Sequence, residues 1–364
     1  MYHGSAMIVA YVTGHGFGHA TRTAEVLRHV RRLSPDTPLW VVTTAPERLF
    51  RGAIEGDVGM RAVTCDVGLA QKDALTIDET ATVQRWRAFA AGWPDRVVQE
   101  AGWLRSVGAR VVLGDVPPLA FAAANEARIP ALGLANFSWD WVYAHLAARH
   151  AGLREAAEHA ARAYHCATLL LELPFAGDLS AFPKRERIPL VARRPRVERA
   201  SARGRLGLGA RLAVLVSFGG LGLSGFRAGT LAALPEFDFL VSERVEDAPA
   251  HVRPLAAEQL DALGLGYEDV VGAVDVVVTK PGYGIVSDAI GARTRLVYTE
   301  RGDFPEYAVL VREMGDYLPS VYVSNEDLRA GRLGQPLEDV LSRPFPPEPD
   351  MGGALVAAHR ILEM

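Results

Sequence analysis

Two hydrophobic textures take turns along this chain. Short continuous apolar runs read as strands buried on both faces, and stretches with apolar residues three and four apart read as amphipathic helices. Residues 7–12 (MIVAYV) are the first run. They pass through Thr13-Gly14-His15-Gly16-Phe17-Gly18-His19-Ala20-Thr21-Arg22 into a helical stretch over 21–33, where Ala24, Val26, Leu27 and Val30 share a face. Further strands are predicted at 39–43, 61–65, 111–113 and 131–134. Helical signals lie near Glu47, over 81–107 with a break at Gly92 and Pro94, and after Pro117-Pro118, where proline suits a first helical turn. Residues 139–164 read as helix and 168–171 as a strand. Such alternation predicts a parallel sheet wrapped by helices.

From 174 to 205 the texture changes. Pro174, Pro183, Pro189 and Pro195 punctuate a segment rich in Lys and Arg, which reads as an inter-domain crossing. Alternation then restarts with a strand at 212–216, followed by Ser217-Phe218-Gly219-Gly220-Leu221-Gly222. Strands at 237–241, 274–278 and 295–298 follow, with helices near 267–273 and 306–314. The expected organisation is an N-terminal α/β domain over 1–180, a linker over 181–210, a second α/β domain over 211–350 and a closing helix over 351–364. Two such halves with glycine loops at their strand ends imply a cleft between domains.

Length supports two domains, because 364 residues exceed one ordinary core. The 49% hydrophobic and 23% charged residues are those of a globular protein, and a net charge of -4 gives no reason to expect a nucleic-acid or anionic-membrane partner. Local basic clusters therefore need their own explanation. Cys65 and Cys166 are the only cysteines, so neither a disulfide framework nor a cysteine zinc site is expected, and a reduced, cytoplasmic setting fits. No uncharged apolar run reaches the roughly 18 residues of a membrane span, and no signal-peptide pattern opens the chain. Met7 is an alternative natural start, with residues 1–6 then a non-native leader.

The polar signals of the first half collect where strands end and helices begin, the place where open α/β sheets bind ligands. His15, His19, Asp115, Asn136 and Asp140 are the candidates to converge there. Each has a structural alternative: a tight turn with hydrogen-bonded histidines for the first loop, a helix N-cap for Asp115, core packing for Trp139 and Trp141. In the second half Lys280-Pro281-Gly282-Tyr283-Gly284-Ile285-Val286-Ser287-Asp288 joins a strand to a helix N-terminus that can bind a phosphate. It lacks the Gly-Lys-Ser/Thr ending of a Walker loop and the glycine spacing of the dinucleotide fingerprint. Glu300, Asp303 and Glu306 are suited to sugar hydroxyls or to capping the next helix; Arg193-Arg194 is a solvated basic face or an anion contact.

These residues resemble the GT-B glycosyltransferases, most closely the glycosyltransferase-like N-terminal half of plant L-arabinokinases and its stand-alone bacterial relatives. The likeness covers nearly the whole chain. It rests on residues 13–22 (TGHGFGHATR), 73–78 (DALTID), 136–140 (NFSWD), 188–191 (IPLV), 218–220 (FGG), 282–284 (GYG) and Val286-Ser287. A more distant similarity is to the peptidoglycan N-acetylglucosaminyltransferase, whose first loop also ends in Gly-His. The resemblance implies an acceptor-binding first domain, with Gly16, Phe17, Gly18, Arg22, Asn136 and Trp139 on the acceptor side. It implies a second domain that binds a nucleotide diphosphate sugar, a UDP-sugar being the expected donor. Ser217, Gly219, Gly220, Gly282, Tyr283, Gly284, Ser287 and Asp288 would then face the donor, with Glu306 near its sugar and Arg194 near its phosphate. Arabinokinases keep their kinase chemistry in a separate C-terminal domain, and this chain ends before one, so the kinase activity does not transfer.

The expected activity is an inverting, metal-independent glycosyl transfer to a small-molecule or glycan acceptor that needs no cofactor. An imidazole suits the acceptor's proton. His19 is the expected base, His15 the second choice, and Asp115 or Asp140 the orienting carboxylate. Backbone N–H groups and a helix dipole can stabilise the leaving diphosphate. The alternatives are a nucleotide-sugar 2-epimerase of the same fold and a non-catalytic sugar or nucleotide-sugar binding module. The expected partners are the donor and an acceptor of unknown identity, with no nucleic acid and no integral membrane segment.

Overall fold

A computed structural model describes residues 7–72, 76–218, 226, 228–242 and 249–364, and the chain divides into two compact units. The first holds the chain up to Ala70, Ile77–Val191 and Asp350–Met364; the second is built mainly from Ala192–Pro349.

The first unit contains seven strands: β1 (Met7–Val12), β2 (Leu39–Val42), β3 (Gly59–Arg61), β4 (Ala109–Asp115), β5 (Ala131–Ala135), β6 (Leu169–Glu172) and β7 (Arg185–Arg187). All pair in parallel in the order β3-β2-β1-β4-β5-β6-β7. In β1, Ile8, Val9, Ala10, Tyr11 and Val12 are each at most 1% exposed, the reason its run is apolar on both faces. Each large side chain buried this way contributes about 1.5–3 kcal/mol. Strand order reverses between β1 and β4, whose ends are in register with Val12 opposite Asp115, so the loops that leave them emerge side by side.

The strand β7 lies within the stretch expected to be linker. Its three residues Arg185, Glu186 and Arg187 carry no apolar signal, because an edge strand is half solvated and its charges block pairing with another chain. The units divide after Val191, and the helix Gly353–Leu362 belongs to the first of them. It packs along the helix Phe17–Leu33, burying Ala354, Ala357, Ala358 and Ile361. Gly353 approaches the backbone so closely that a Cβ there would meet the Pro189 carbonyl oxygen at 2.0 Å.

The second unit repeats the plan with β8 (Leu212–Val216), β9 (Phe237–Val241), β10 (Val252–Pro254), β11 (Val276–Thr279), β12 (Arg295–Tyr298) and β13 (Ser320–Tyr322). They form a parallel sheet in the order β10-β9-β8-β11-β12-β13, which reverses between β8 and β11. The short edge strands β10 and β13 were beyond the hydrophobic pattern. Val214, Val216, Phe239, Val276 and Val297 pack with Leu337 and Val340 of the helix Gly334–Ser342 in one core. Both units are thus Rossmann-like α/β sheets, each with its own switch point.

Candidate active site

At the switch point of the first unit, Thr13 follows β1 and its amide donates to the Asp115 carbonyl at the end of β4 (3.3 Å). The next helix, Phe17–Leu33, begins at Gly16, whose φ of 89° belongs to glycine. His19, Arg22 and Thr23 are three and four positions apart, so they share the helix face that looks at Asp115. All three reach it. Arg22 donates from Nε to Asp115 Oδ2 (2.8 Å) and from Nη2 to Oδ1 (2.5 Å). The Thr23 hydroxyl donates to Oδ2 (2.7 Å), and His19 Nδ1 lies 2.8 Å from Oδ1. The remaining Arg22 nitrogen, Nη1, donates to Asn136 Oδ1 at the end of β5 (2.7 Å).

Asp115 is fully buried. Burial works against its ionisation, but the charges and hydrogen bonds of Arg22 and His19 outweigh it and hold the carboxyl at about 2. A carboxylate accepts and does not donate, so His19 Nδ1 carries the proton of that bond and the neutral ring has its lone pair on Nε2. Arg22 Nη2 is also 3.0 Å from His19 Nδ1; in this tautomer both are donors, and both give a hydrogen bond to Asp115 Oδ1 rather than to each other. The His19 side chain is 12% exposed while its partners are closed off, with its ring edge-on to Phe137 at 5.4 Å. An imidazole oriented by a buried carboxylate and still partly exposed can take up a proton from a hydroxyl.

Asp115 is not a helix cap: the N-cap of Pro118–Ala127 is Pro117, and no side chain caps it. Between them Val116 holds φ at 81°, a strained conformation for a β-branched residue, and its carbonyl accepts from the buried Tyr164 hydroxyl (2.7 Å).

A second cluster adjoins the first through Thr13. The Thr13 hydroxyl donates to Asp66 Oδ1 (3.0 Å) and Trp139 Nε1 donates to Asp66 Oδ2 (2.7 Å). His15 Nε2 is 3.7 Å from Asp66 Oδ1, and its ring meets Trp139 edge-on at 6.1 Å. Trp139 is 3% exposed and stacks on Tyr143, so it packs as core and supports His15. Phe17, by contrast, is 43% exposed, with the Arg48 guanidinium 5.9 Å from its ring centre. Asp140 forms no bond to His15 or His19 among the described residues. Its Oδ1 is buried without a hydrogen-bond partner, and burial, with Asp178 nearby, raises its carboxyl above the usual range.

The sequence pattern did not single out Thr13, Thr23 or Asp66. Asp66 follows a run read as a strand and obeys the same strand-end rule; Thr23 is signalled only by its spacing from His19.

In the second unit the loops after β8 and β11 lie at the corresponding switch point. Gly219 and Gly220 fall outside the described residues. Ser217 is buried and its Oγ accepts from the Tyr267 hydroxyl (2.9 Å). Gly282 caps the helix Tyr283–Ala292 with no side-chain cap, and a Cβ on it would lie 3.4 Å from Arg301 Nη1. Glu306 is buried on Arg301, and Ser287 is buried with its hydroxyl donating to the Gly284 carbonyl (3.0 Å). Asp288 pairs with Arg193, which also donates to Glu268 (2.7 Å). Arg194, the neighbour expected near phosphate, is 65% exposed and paired with Glu348 (2.7 Å). Among the described residues no group of three or more His, Cys, Asp or Glu side chains is placed to hold a metal ion, and no helix is long and apolar enough to cross a membrane.

No family model matches the chain. It is 33% identical to the L-arabinokinase of Arabidopsis thaliana over 360 residues, 97% of this chain, and it spans about a third (34%) of that protein's length. Among solved structures it is similar to a UDP-glucosyltransferase of Polygonum tinctorium that glucosylates indoxyl, at TM-score 0.62 and 13% identity over 100% of this chain and 94% of that one. The glycotransferase of kitacinnamycin superposes at TM-score 0.60 and 16% identity over 98% and 94%. MurG of Acinetobacter baumannii does so at TM-score 0.54 and 13% identity over 99% and 100%. Two parallel Rossmann-like sheets with these likenesses identify a protein of the GT-B fold that is a homologue of part of L-arabinokinase.

Proposed function

We propose that the chain is a glycosyltransferase that moves a sugar, with inversion and without a cofactor, from a nucleotide diphosphate sugar to the hydroxyl of a small-molecule or glycan acceptor. The observation that carries the reading is His19 held by Asp115, itself charge-balanced by Arg22, at the switch point of the first sheet. In this reading the acceptor hydroxyl gives its proton to His19 Nε2 as its oxygen attacks the anomeric carbon. Asp115 stabilises the imidazolium that forms. The bond from the anomeric carbon to the diphosphate breaks, and the electron pair leaves with the nucleoside diphosphate. Taken by itself, the second unit offers the amides at Gly282, which no side chain caps, as a place suited to a diphosphate. A UDP-sugar is favoured as donor because a structural neighbour is a UDP-glucosyltransferase and another is complexed with UDP. Both cysteines are free thiols, which is compatible with the reducing, cytoplasmic setting that belongs to this proposal.

The test has two steps. A thermal-shift screen with UDP, GDP, TDP and ADP identifies the base, since a ligand of the native state raises apparent stability. Product analysis with the matching sugar donors follows, with and without acceptors. Transfer that disappears in His19→Ala supports the reading. An epimerised sugar formed without acceptor identifies a 2-epimerase; tight donor binding with no turnover identifies a binding module.

A further inference from the structure

Beside the His15 cluster, and wholly within the first unit, lies a cavity of about 720 Å³. Its wall includes His15, Asp66, Arg61, Arg85, Arg96 and Glu100. The charges in it are not evenly matched. Asp66 is occupied by Thr13 and Trp139, as described above. Glu100 accepts from the Tyr11 hydroxyl (2.8 Å) and from Arg61 Nη1 (2.5 Å), so these two and Arg61 form a closed set.

Arg85 and Arg96 have no carboxylate partner among the described residues. Arg85 is exposed on the helix Glu79–Ala91 and Arg96 half-buried on the helix Trp93–Ser106. Arg96 Nε is buried without a hydrogen-bond acceptor, and its guanidinium lies 4.8 Å from the centre of the Phe89 ring. A guanidinium laid on a ring keeps its edge donors in the plane and available to an anion. In a protein whose net charge is -4, two arginines on adjacent helices, without a carboxylate partner among the described residues and lining one cavity beside His15 of the loop that leads to His19, are not explained by general surface charge.

We propose that this cavity is an anion subsite, in which Arg85 and Arg96 grip a carboxylate or phosphate carried by the acceptor while its hydroxyl is presented to the first loop. The acceptor is then an anionic hydroxy compound. This inference rests on the transferase reading for the word acceptor, but its test needs no turnover.

Isothermal titration calorimetry of the full chain at low salt compares two probes of nearly the same shape, 4-hydroxybenzoate and 4-hydroxybenzamide, with inorganic phosphate as competitor. The expected result is binding of the benzoate about tenfold tighter than the amide, displaced by phosphate. Arg85→Gln combined with Arg96→Gln should reduce that preference to about twofold or less. Arg87→Gln, exposed on the same helix but outside the cavity, should keep it. Equal binding of the two probes, no binding of the benzoate, or a preference that survives the double variant overturns the subsite. Charge-selective binding in a protein that transfers no sugar would leave the subsite standing and remove the transferase reading. Transfer confined to neutral acceptors would do the opposite.

Discussion

Arg22, buried in the first unit, and Arg193, largely covered in the second, grip an aspartate in the same way, with Nε on one carboxylate oxygen and Nη2 on the other. They differ in what else is attached. Arg193 sends Nη1 to a second buried carboxylate, Glu268, and although burial works against its charge, Asp288 and Glu268 hold it protonated more firmly than a free arginine. With Arg196 3.4 Å from Glu268, its environment is four charged side chains, and among the described residues no histidine bonds to them. Arg22 sends Nη1 to the neutral amide of Asn136 and leaves one Asp115 oxygen to share with His19. A buried ion pair is in itself a scaffold. It becomes chemistry when a partly exposed imidazole, a group that can accept and return a proton, hangs from it.

The largest expected effects test the scaffold half of this contrast. Arg193→Met takes the shared cation from the buried Asp288 and Glu268, leaving Glu268 with the more exposed Arg196 at 3.4 Å, and should cost about 3–5 kcal/mol of stability. Arg22→Met should fall toward the lower end of that range, because Thr23 and His19 remain on Asp115. Urea denaturation monitored by tryptophan fluorescence measures both; an unchanged midpoint in either variant removes the scaffold role assigned to it. His19→Ala tests the other half. It deletes one hydrogen bond at a partly exposed position, about 1 kcal/mol, while removing a general base should lower kcat by about 10²–10⁴. A variant that loses stability in proportion to its activity would make His19 one more member of the scaffold.

Acid gives a smaller effect of known sign. The folded carboxyl of Asp115 sits at about 2 against an ordinary 3.8, so the unfolded chain binds the proton first as the pH falls. Its contribution, about 2 kcal/mol, is complete above about pH 5 and is lost as the pH falls through about 2. Denaturation curves at intervals between pH 5 and 2 should be steeper in pH for the parent protein than for Asp115→Asn. Parallel curves would show that the carboxyl titrates alike in both states.

Much of this was readable before any coordinates. The central strands were found within a few residues because a parallel strand covered on both faces is apolar throughout, and His19, Asp115 and Asn136 were singled out because strand ends at a switch point collect polar groups. The edge strands β7, β10 and β13 escaped for the same physical reason: half solvated, they need no apolar run. The resemblance puts Arg22 on the acceptor side, and the structure turns it inward onto Asp115 at 3% exposure. A buried arginine cannot be told from a surface one without its partners. Arg193 and Arg194 show the same difficulty in adjacent positions, the first held by Asp288 and Glu268 and the second exposed on Glu348. Burial of Trp139 on Asp66 depended on a contact 73 positions away, which spacing along the chain does not reveal.

The smallest effect concerns the second histidine. Gly68 holds φ at 60°, and a Cβ there would lie 2.4 Å from the His15 ring. Gly68→Ala therefore meets two costs: about 1–2 kcal/mol for a left-handed alanine, and displacement of His15. His15 is 35% exposed on its side chain and stands off Asp66 at 3.7 Å, so it has room to move. His19, bonded to Asp115 on the far side of Thr13, does not depend on Gly68. The expected result is a modest fall in denaturation midpoint, a shift of the His15 ring resonances in NMR, His19 resonances unchanged, and kcat within about threefold of the parent. A loss as deep as that of His19→Ala, with the His19 resonances still in place, would move the proton acceptor from the Asp115 cluster to the Asp66 cluster and reverse the order of the two histidines.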